Sequence, residues 1–156
     1  MAGASSGRAA FLDLLRQRKE EAARPALARR QIEWVQDVRK LITKLLRWLE
    51  EPRRKRLLRV KRRDITIAEE GLRPYRVPML TIEAPRSWSV DVQPIGMCVV
   101  GALGRVDLVA AARLNTIARV ERDKWQFVRL DDTGRRAIST ELTEDSFFSA
   151  LRELLQ

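Results

Sequence analysis

The stretch RWLEEPRRKRLLRVKRRDITI, residues 47–67, contains the point at which the hydrophobic period of this chain changes. Before Pro52, apolar residues recur every three or four positions, which is typical of a helix with one buried side. After the basic run they alternate with polar residues, beginning with Leu58 and Val60. Glu51 precedes a proline, a position biased away from the helical region. We therefore expect helices before this point and strands after it.

The chain before this point is predicted to form two helices. The first spans residues 8–23, and Pro25 marks a break that suits the first turn of the next helix. The second helix, from Pro25 to about Leu49, has apolar residues at helical spacing over its whole length. They form two adjacent lines, one of Val35, Val38, Ile42, Leu45 and Leu49 and one of Leu27, Trp34, Leu41 and Trp48. This apolar surface is broader than one packing seam needs.

The chain after residue 57 is predicted to form an antiparallel sheet of six or seven strands, because apolar and polar residues alternate as far as Leu142. Short turn signals separate the strands at residues 85–87, 101–104, 122–123 and 131–134. No helix-length connection lies between strands, so the sheet should be largely a meander. Thr143 is a suitable N-cap for a C-terminal helix that docks on the sheet. The fold class expected is α+β.

The same patterns divide the chain into three regions. Residues 1–7 are small and polar and are expected to be a disordered tail. Residues 8–56 form a basic helical N-terminal region, and residues 57–156 form the sheet domain with its C-terminal helix. A chain of 156 residues is long enough to bury a sizeable core.

The residue types present restrict the chemistry. The chain has no histidine and a single cysteine, Cys98. A Ser-His-Asp or Cys-His catalytic arrangement and the usual histidine-containing metal sites are therefore excluded within this chain. We expect a non-enzymatic protein with no cofactor and no metal. The absence of a disulfide pair, of a signal-peptide pattern and of a run of about 18 apolar residues predicts a cytoplasmic protein without membrane contact.

The net charge of +10 is unevenly distributed along the chain. Residues 1–63 carry 19 Lys and Arg against 7 Asp and Glu, a net charge of +12. Residues 64–156 carry 12 against 14, a net charge of −2. Such asymmetry indicates an acidic partner, of which nucleic acid is the commonest.

The densest part of the positive half is the run PRRKRLLRVKRR, residues 52–63. If the residues after 57 form a strand, every second cation lies on one strand face beside a cationic helix end, an arrangement that matches backbone phosphates. The candidate nucleic-acid-binding residues are Arg53, Arg54, Lys55, Arg56, Arg59, Lys61 and Arg63. Two other interpretations stay open. The run could dock on an acidic protein surface, or it could be a solvated helix end and an edge strand protected by its charges against aggregation.

One line of the second helix is a candidate protein interface. It contains Leu27, Trp34, Leu41 and Trp48 at seven-residue steps, and Trp is enriched at protein–protein hot spots. The alternative is packing inside this protein, which is the commoner role of tryptophans spaced in this way with leucines. Base stacking on Trp34 and Trp48 is a third possibility.

The one enzymatic alternative is a nuclease. Asp107, followed by Glu121 and Lys124, loosely resembles the Asp … Glu-x-Lys arrangement of restriction-type nucleases, in which two carboxylates hold a divalent metal. The pattern departs from that family because Glu121 and Lys124 are three positions apart and would not share a strand face.

The sequence favours a small basic accessory subunit that binds the backbone of DNA or RNA through the cationic helix end and strand. Its other expected partners are protein subunits of a larger complex. The first alternative is an assembly subunit that uses the apolar face of the long helix without nucleic acid. The second alternative is a divalent-metal nuclease.

Overall fold

The computed structural model describes residues 6–99, 101–130, 133 and 136–156. The chain divides into two compact units, residues 1–32 and residues 33–156. The sequence predicted a disordered tail at residues 1–7. Residues 1–5 of this tail lie outside the described residues, and Gly7 belongs to a helix. Within the described ranges, no helix combines the length and the apolar character that crossing a membrane requires.

The N-terminal helix, α1 (Gly7–Trp48), is continuous, so the predicted break at Pro25 is absent. Pro25 removes one backbone hydrogen bond, to the carbonyl of Glu21, but both residues are exposed and water can satisfy that carbonyl. Strong helix formers lie directly before the proline, namely Ala22, Ala23 and Arg24. A short helix, α2 (Glu50–Arg54), follows.

The rest of the chain forms one antiparallel sheet whose seven strands pair in chain order. The strands are β1 (Arg59–Ile67), β2 (Tyr75–Ala84), β3 (Trp88–Gly96), β4 (Arg105–Ala110), β5 (Arg113–Glu121), β6 (Lys124–Leu130) and β7 (Arg136–Glu141). A C-terminal helix, α3 (Glu144–Leu155), follows the last strand. The predicted α+β class, the meander and the C-terminal helix are confirmed.

Most of the core of residues 33–156 lies on one face of the sheet, where the helical segments 33–49 and α3 pack, and Ile67, Val77 and Met79 on the other face are also buried. Cross-strand pairs on this face are Val60–Ile82, Leu80–Val92, Val92–Leu108 and Val106–Ile117. From the helix side, Trp34 packs on Trp125 of β6 with ring centroids 5.9 Å apart, and Trp48 packs on Phe147 of α3 at 5.8 Å. Both helical segments therefore supply large aromatic side chains to the same core.

The start of α3 agrees with the sequence prediction. Thr143 is the N-cap, and its hydroxyl accepts the backbone N–H of Ser146 at 3.1 Å. The hydroxyl of Ser146 accepts the N–H of Thr143 at 2.8 Å, which completes a reciprocal capping box. Two N–H groups that the helix itself leaves without partners are satisfied in this way.

The connection from β3 to β4 differs from the sequence prediction. The alternation predicted residues 97–100 as a strand, but β3 ends at Gly96 and Met97 to Val99 lie in a loop. The carboxylate of Glu69 accepts the backbone N–H of Met97 at 3.3 Å and of Cys98 at 2.8 Å. These donors are therefore not available to a neighbouring strand. Val100 and most of the predicted turn at residues 131–134 lie outside the described residues.

Candidate functional site

The junction between α2 and β1 brings the helical and the strand cations together. Leu57 donates its backbone N–H to the carbonyl of Pro52 at 2.9 Å, and Arg56 donates to the carbonyl of Arg53 at 2.9 Å. This pair of bonds is a Schellman motif, which ends a helix through one residue in the left-handed region. That residue is Arg56, with φ of 58°. The chain then enters β1 at Arg59, so α2 and β1 are separated by only four residues.

The first strand presents three cations on one face. Arg59, Lys61 and Arg63 lie opposite Glu83, Thr81 and Met79 of β2, and all three cations are exposed. Residues two apart along an antiparallel strand are about 6.8 Å apart and share a face, so the cations form a regular row. β1 has a partner strand on one side only, so this row lies at the edge of the sheet.

All seven predicted nucleic-acid-binding residues are exposed, and most have no acidic partner. The ion pairs of this surface join Lys55 to Glu51 at 2.8 Å and Lys61 to Glu83 at 3.1 Å. In the described part of the chain, no carboxylate lies within ion-pair distance of Arg53, Arg54, Arg56, Arg59 or Arg63. Arg62 is also exposed and has no ion pair among the described residues, and we call it together with these seven residues the cationic surface.

The ion pairs of the cationic surface are weak competitors for a ligand. Their side chains are between 35% and 69% exposed, and exposed pairs contribute about 0–1 kcal/mol to stability. A phosphate can therefore replace Glu51 or Glu83 as the partner of the lysine at little cost. The arrangement can bind a row of phosphates by charge.

The predicted protein interface does not form one exposed surface. Trp34 and Leu41 have no exposed surface and belong to the core of residues 33–156. Trp48 is half-buried against Phe147. Leu27 is half-buried and belongs to the other unit, residues 1–32. The internal packing that the sequence left open as an alternative is the role that Trp34 and Leu41 have in this structure.

Trp34 is held by a chain of hydrogen bonds that continues to the β3–β4 loop. Its indole N–H donates to the hydroxyl of Tyr75 at 3.0 Å, and this hydroxyl donates to Glu69. Burial and the neighbouring Glu69 carboxylate raise the pKa of Tyr75, while the bond from Trp34 acts in the opposite direction. The hydroxyl therefore stays protonated as a donor, and its role is to hold Glu69 in place.

A buried ion pair between α1 and the β5–β6 hairpin was not predicted from the sequence. Asp37 has no exposed surface and lies 2.7 Å from Arg119, which is itself 5% exposed. Its carboxylate also accepts the side chain of Arg122 at 3.1 Å and the backbone N–H of Asp123 at 2.9 Å. Burial acts to raise the pKa of Asp37, but these three donors outweigh it and lower the pKa below 3.8. Partners more than 80 positions apart leave no local sequence signal.

In the nuclease alternative, the carboxylate of Asp107 has partners other than Glu121 and Lys124. Asp107 is 5% exposed, and its carboxylate binds the guanidinium of Arg105 through two 2.9 Å hydrogen bonds and the hydroxyl of Thr116 at 3.0 Å. Glu121 and Lys124 pair with each other at 3.1 Å on an exposed hairpin. Across the described ranges, no group of three His, Cys, Asp or Glu residues is placed to hold a metal ion.

The unit of residues 1–32 carries exposed apolar side chains. Phe11 is 59% exposed, and Leu12, Leu14 and Leu15 are between 40% and 46% exposed. The sequence predicted an apolar stripe here through Ala10, Phe11, Leu14 and Leu15 but assigned it no partner. We call Phe11, Leu12, Leu14 and Leu15 the apolar cluster.

Comparison with known proteins finds no matching family model, no matching curated protein and no matching solved structure. Inferences about function therefore rest on the residues and geometry described above.

Proposed function

We propose that this protein is a small, non-enzymatic accessory subunit of the cytoplasm that binds the phosphate backbone of nucleic acid through the cationic surface. Binding is electrostatic: Arg and Lys replace the counterions that surround the phosphates. Base sequence is not read by these contacts, which fix position rather than specificity. Other subunits of a larger complex would supply specificity.

The observation that carries the proposal is the density of free positive charge. Residues 53–63 contain eight cations and no acidic residue, and every one of the eight is exposed. Six of them have no ion-pair partner among the described residues. So many like charges in one short segment repel one another, which costs stability unless a polyanion is bound.

The main competing interpretation is a solvated helix end, whose cations complement the helix dipole, followed by an edge strand that its charges protect from aggregation. Protection requires only cations along β1 itself. This interpretation does not account for Arg56, an arginine at a left-handed position where glycine is preferred. Arg56 therefore favours a ligand over a solvated helix end and a protected edge strand.

Charge reversal tests the proposal. In Arg53→Glu/Arg54→Glu/Arg56→Glu, we expect duplex affinity at about 0.1 M salt to fall by at least 100-fold, because three phosphate contacts become repulsive. The matched control is Arg8→Glu/Arg18→Glu/Arg24→Glu, which makes the same change in net charge at exposed positions of residues 1–32. Fluorescence anisotropy with labelled oligonucleotides measures both. Equal losses in the two variants would show that net charge alone, and not the cationic surface, governs binding.

A second function, assembly with protein partners, is favoured by the apolar cluster. Four large apolar side chains that are 40–59% exposed within five positions are unusual on a helix in water. Binding there would bury them and stabilise the helix, since most helical stability in proteins comes from packing. In this role the protein would associate through residues 11–15 without nucleic acid.

Sedimentation velocity tests the second function. Self-association of the wild type that is lost in Phe11→Ser/Leu15→Ser, with the circular dichroism spectrum retained, would support it. Ala10→Ser/Ala22→Ser is a control that adds the same polar groups without removing large apolar side chains. A wild type that stays monomeric over the whole concentration range would exclude self-association through the apolar cluster.

A further inference from the structure

Proteins that hold single-stranded nucleic acid combine a cationic groove with aromatic side chains on which bases stack. The chain contains four Trp, one Tyr and four Phe, and the structure describes all nine. Their positions decide whether the cationic surface can also take bases.

Apart from Phe11, these aromatic side chains are either buried or half-buried. Trp34, Trp125 and Phe147 are buried. Trp48 and Phe148 pack on Phe147, and Trp88 donates its indole N–H to the carbonyl of Leu154 at 3.1 Å. Phe127 lies opposite Ile117, which has no exposed surface. Phe11 is exposed but belongs to residues 1–32.

Tyr75 is the aromatic residue on the same strand face as the row of cations. It lies opposite Ile67, four positions along β1 from Arg63, a separation of about 14 Å. Its ring is half-buried and its hydroxyl is held between Trp34 and Glu69. The neighbours of the cations across the ladder are Glu83, Thr81 and Met79, none of which can stack on a base.

From this placement we propose that the cationic surface prefers duplex nucleic acid to single strands. The inference rests on the proposed function and adds its ligand class. A duplex presents one negative charge per about 1.7 Å of its axis, and a single strand presents fewer. A surface that binds through charge alone gains from this density, and it lacks the stacking, about 1–3 kcal/mol per base, by which single-strand binders compensate.

The experiment compares four labelled oligonucleotides of about 24 nucleotides at equal salt. They are duplex DNA, duplex RNA, one strand of the DNA duplex, and oligothymidine, which forms no structure of its own. We expect anisotropy titrations to give Kd values for at least one duplex that are about tenfold lower than for either single strand. The two duplex arms show whether the helix bound is DNA, RNA or both.

Substitutions at Glu83 test the cause of the preference. Glu83 lies on β2 opposite Arg59 and pairs with Lys61, so it is adjacent to the row of cations on β1. Glu83→Gln frees Lys61 and should tighten binding of duplex and single strand alike, by about two- to fivefold. Glu83→Trp removes the same charge and adds a stacking ring. We expect only this variant to narrow the gap between duplex and single strand.

The outcomes separate the two proposals. Single strands bound as tightly as duplexes, with binding still lost in the Arg53/Arg54/Arg56 variant, would overturn the duplex preference and leave the proposed function standing. No binding to any of the four oligonucleotides at low salt would overturn both. If Glu83→Gln reduced the difference in Kd between duplex and single strand as much as Glu83→Trp does, the missing aromatic ring would not be the cause of the preference. That result would overturn the inference.

Discussion

Arg56 is an arginine in a backbone conformation that suits glycine. Its φ of 58° ends α2 through a Schellman motif, at the position where glycine is most common. The left-handed conformation costs a residue with a side chain about 1–2 kcal/mol. Its side chain is exposed and has no ion pair in the described ranges, so no ion pair offsets this cost. Strain of this kind is often found at functional sites.

Arg56→Gly separates stability from binding. We expect the free energy of unfolding to rise by about 0.5–1 kcal/mol, because relief of the left-handed strain exceeds the added entropy of the unfolded chain. Duplex affinity should fall severalfold, because one phosphate contact is lost. Urea denaturation and anisotropy measure the two effects. Arg56→Ala is the control, since it removes the same cation but keeps the strain and should not stabilise the protein.

Asp37 provides a prediction about pH. Because three donors hold its folded pKa below the ordinary value of 3.8, the ionised carboxylate stabilises the fold above about pH 4. This contribution is lost as the pH falls through the folded pKa. Asp37→Asn should lower the free energy of unfolding at pH 7 by about 3–5 kcal/mol, since Arg119 is left buried without a charge partner.

The pH profile distinguishes this role from simple packing. Below pH 4 the wild type should lose stability more steeply than Asp37→Asn. The difference in free energy of unfolding between the two proteins should therefore become smaller. Thermal unfolding followed by circular dichroism at several pH values measures it. Asp13→Asn, at an exposed position of α1, should leave the profile unchanged. A gap that is constant from pH 7 to pH 3 would contradict a role for the charge of Asp37.

At the scale of elements, the second half of α1 is fixed against the sheet by close contact with the β3–β4 loop. A Cβ added at Gly104 would lie 2.1 Å from Cζ3 of Trp34. The ring cannot retreat easily, because it has no exposed surface and contacts Trp125. Gly104 was predicted from sequence only as part of a hairpin turn, and its closeness to a residue 70 positions away could not be inferred.

Gly104→Ala should therefore destabilise the fold by about 2–3 kcal/mol through overpacking. The cost should shrink when Trp34→Phe is present, because the smaller ring leaves space for the added methyl group. A double-mutant cycle from urea denaturation measures this coupling. Additive effects of the two substitutions would contradict the contact.

The helical period and the strand alternation of the sequence predicted the α+β class, the antiparallel meander and the C-terminal helix, but not the separate helix α2 or the limits of α1 and β3. The apolar lines of α1 correctly indicated a broad buried surface, because a helix over a sheet must bury residues on both sides of its contact line. The break at Pro25 was wrong, since an exposed proline between strong helix formers costs one hydrogen bond without ending the helix. The end of β3 was missed because Glu69, a distant side chain, takes the backbone donors of Met97 and Cys98.

The candidate site could be predicted better than the contacts that support the fold. The row of Arg59, Lys61 and Arg63 follows from strand period alone and is present as predicted. The partners of Asp37 and Trp34 depend on tertiary contacts that no local pattern encodes. The predicted interface included core residues as well as half-buried ones. A seven-residue spacing on a helix does not distinguish packing inside the protein from packing on a partner.

At the scale of the whole molecule, the charge separates along the chain: residues 1–63 carry +12 and residues 64–156 carry −2. The nearly neutral part forms most of the sheet and α3. A rigid sheet domain with cations concentrated at its edge strand and the preceding helix end suits a subunit that holds a polyanion by one side. In this account, the surface outside the cationic surface can contact other subunits.

The most direct test of nucleic-acid binding through the cationic surface is the salt dependence of duplex affinity for the wild-type protein. With about five phosphates contacted, log Kd should rise with log salt concentration at a slope of about 4.5, equivalent to an affinity loss of about 500-fold between ~50 and ~200 mM. Arg53→Glu/Arg54→Glu/Arg56→Glu should reduce this slope by about three units. A flat dependence, or no binding at ~50 mM salt, would contradict the account and leave the cationic surface as the protection of an edge strand.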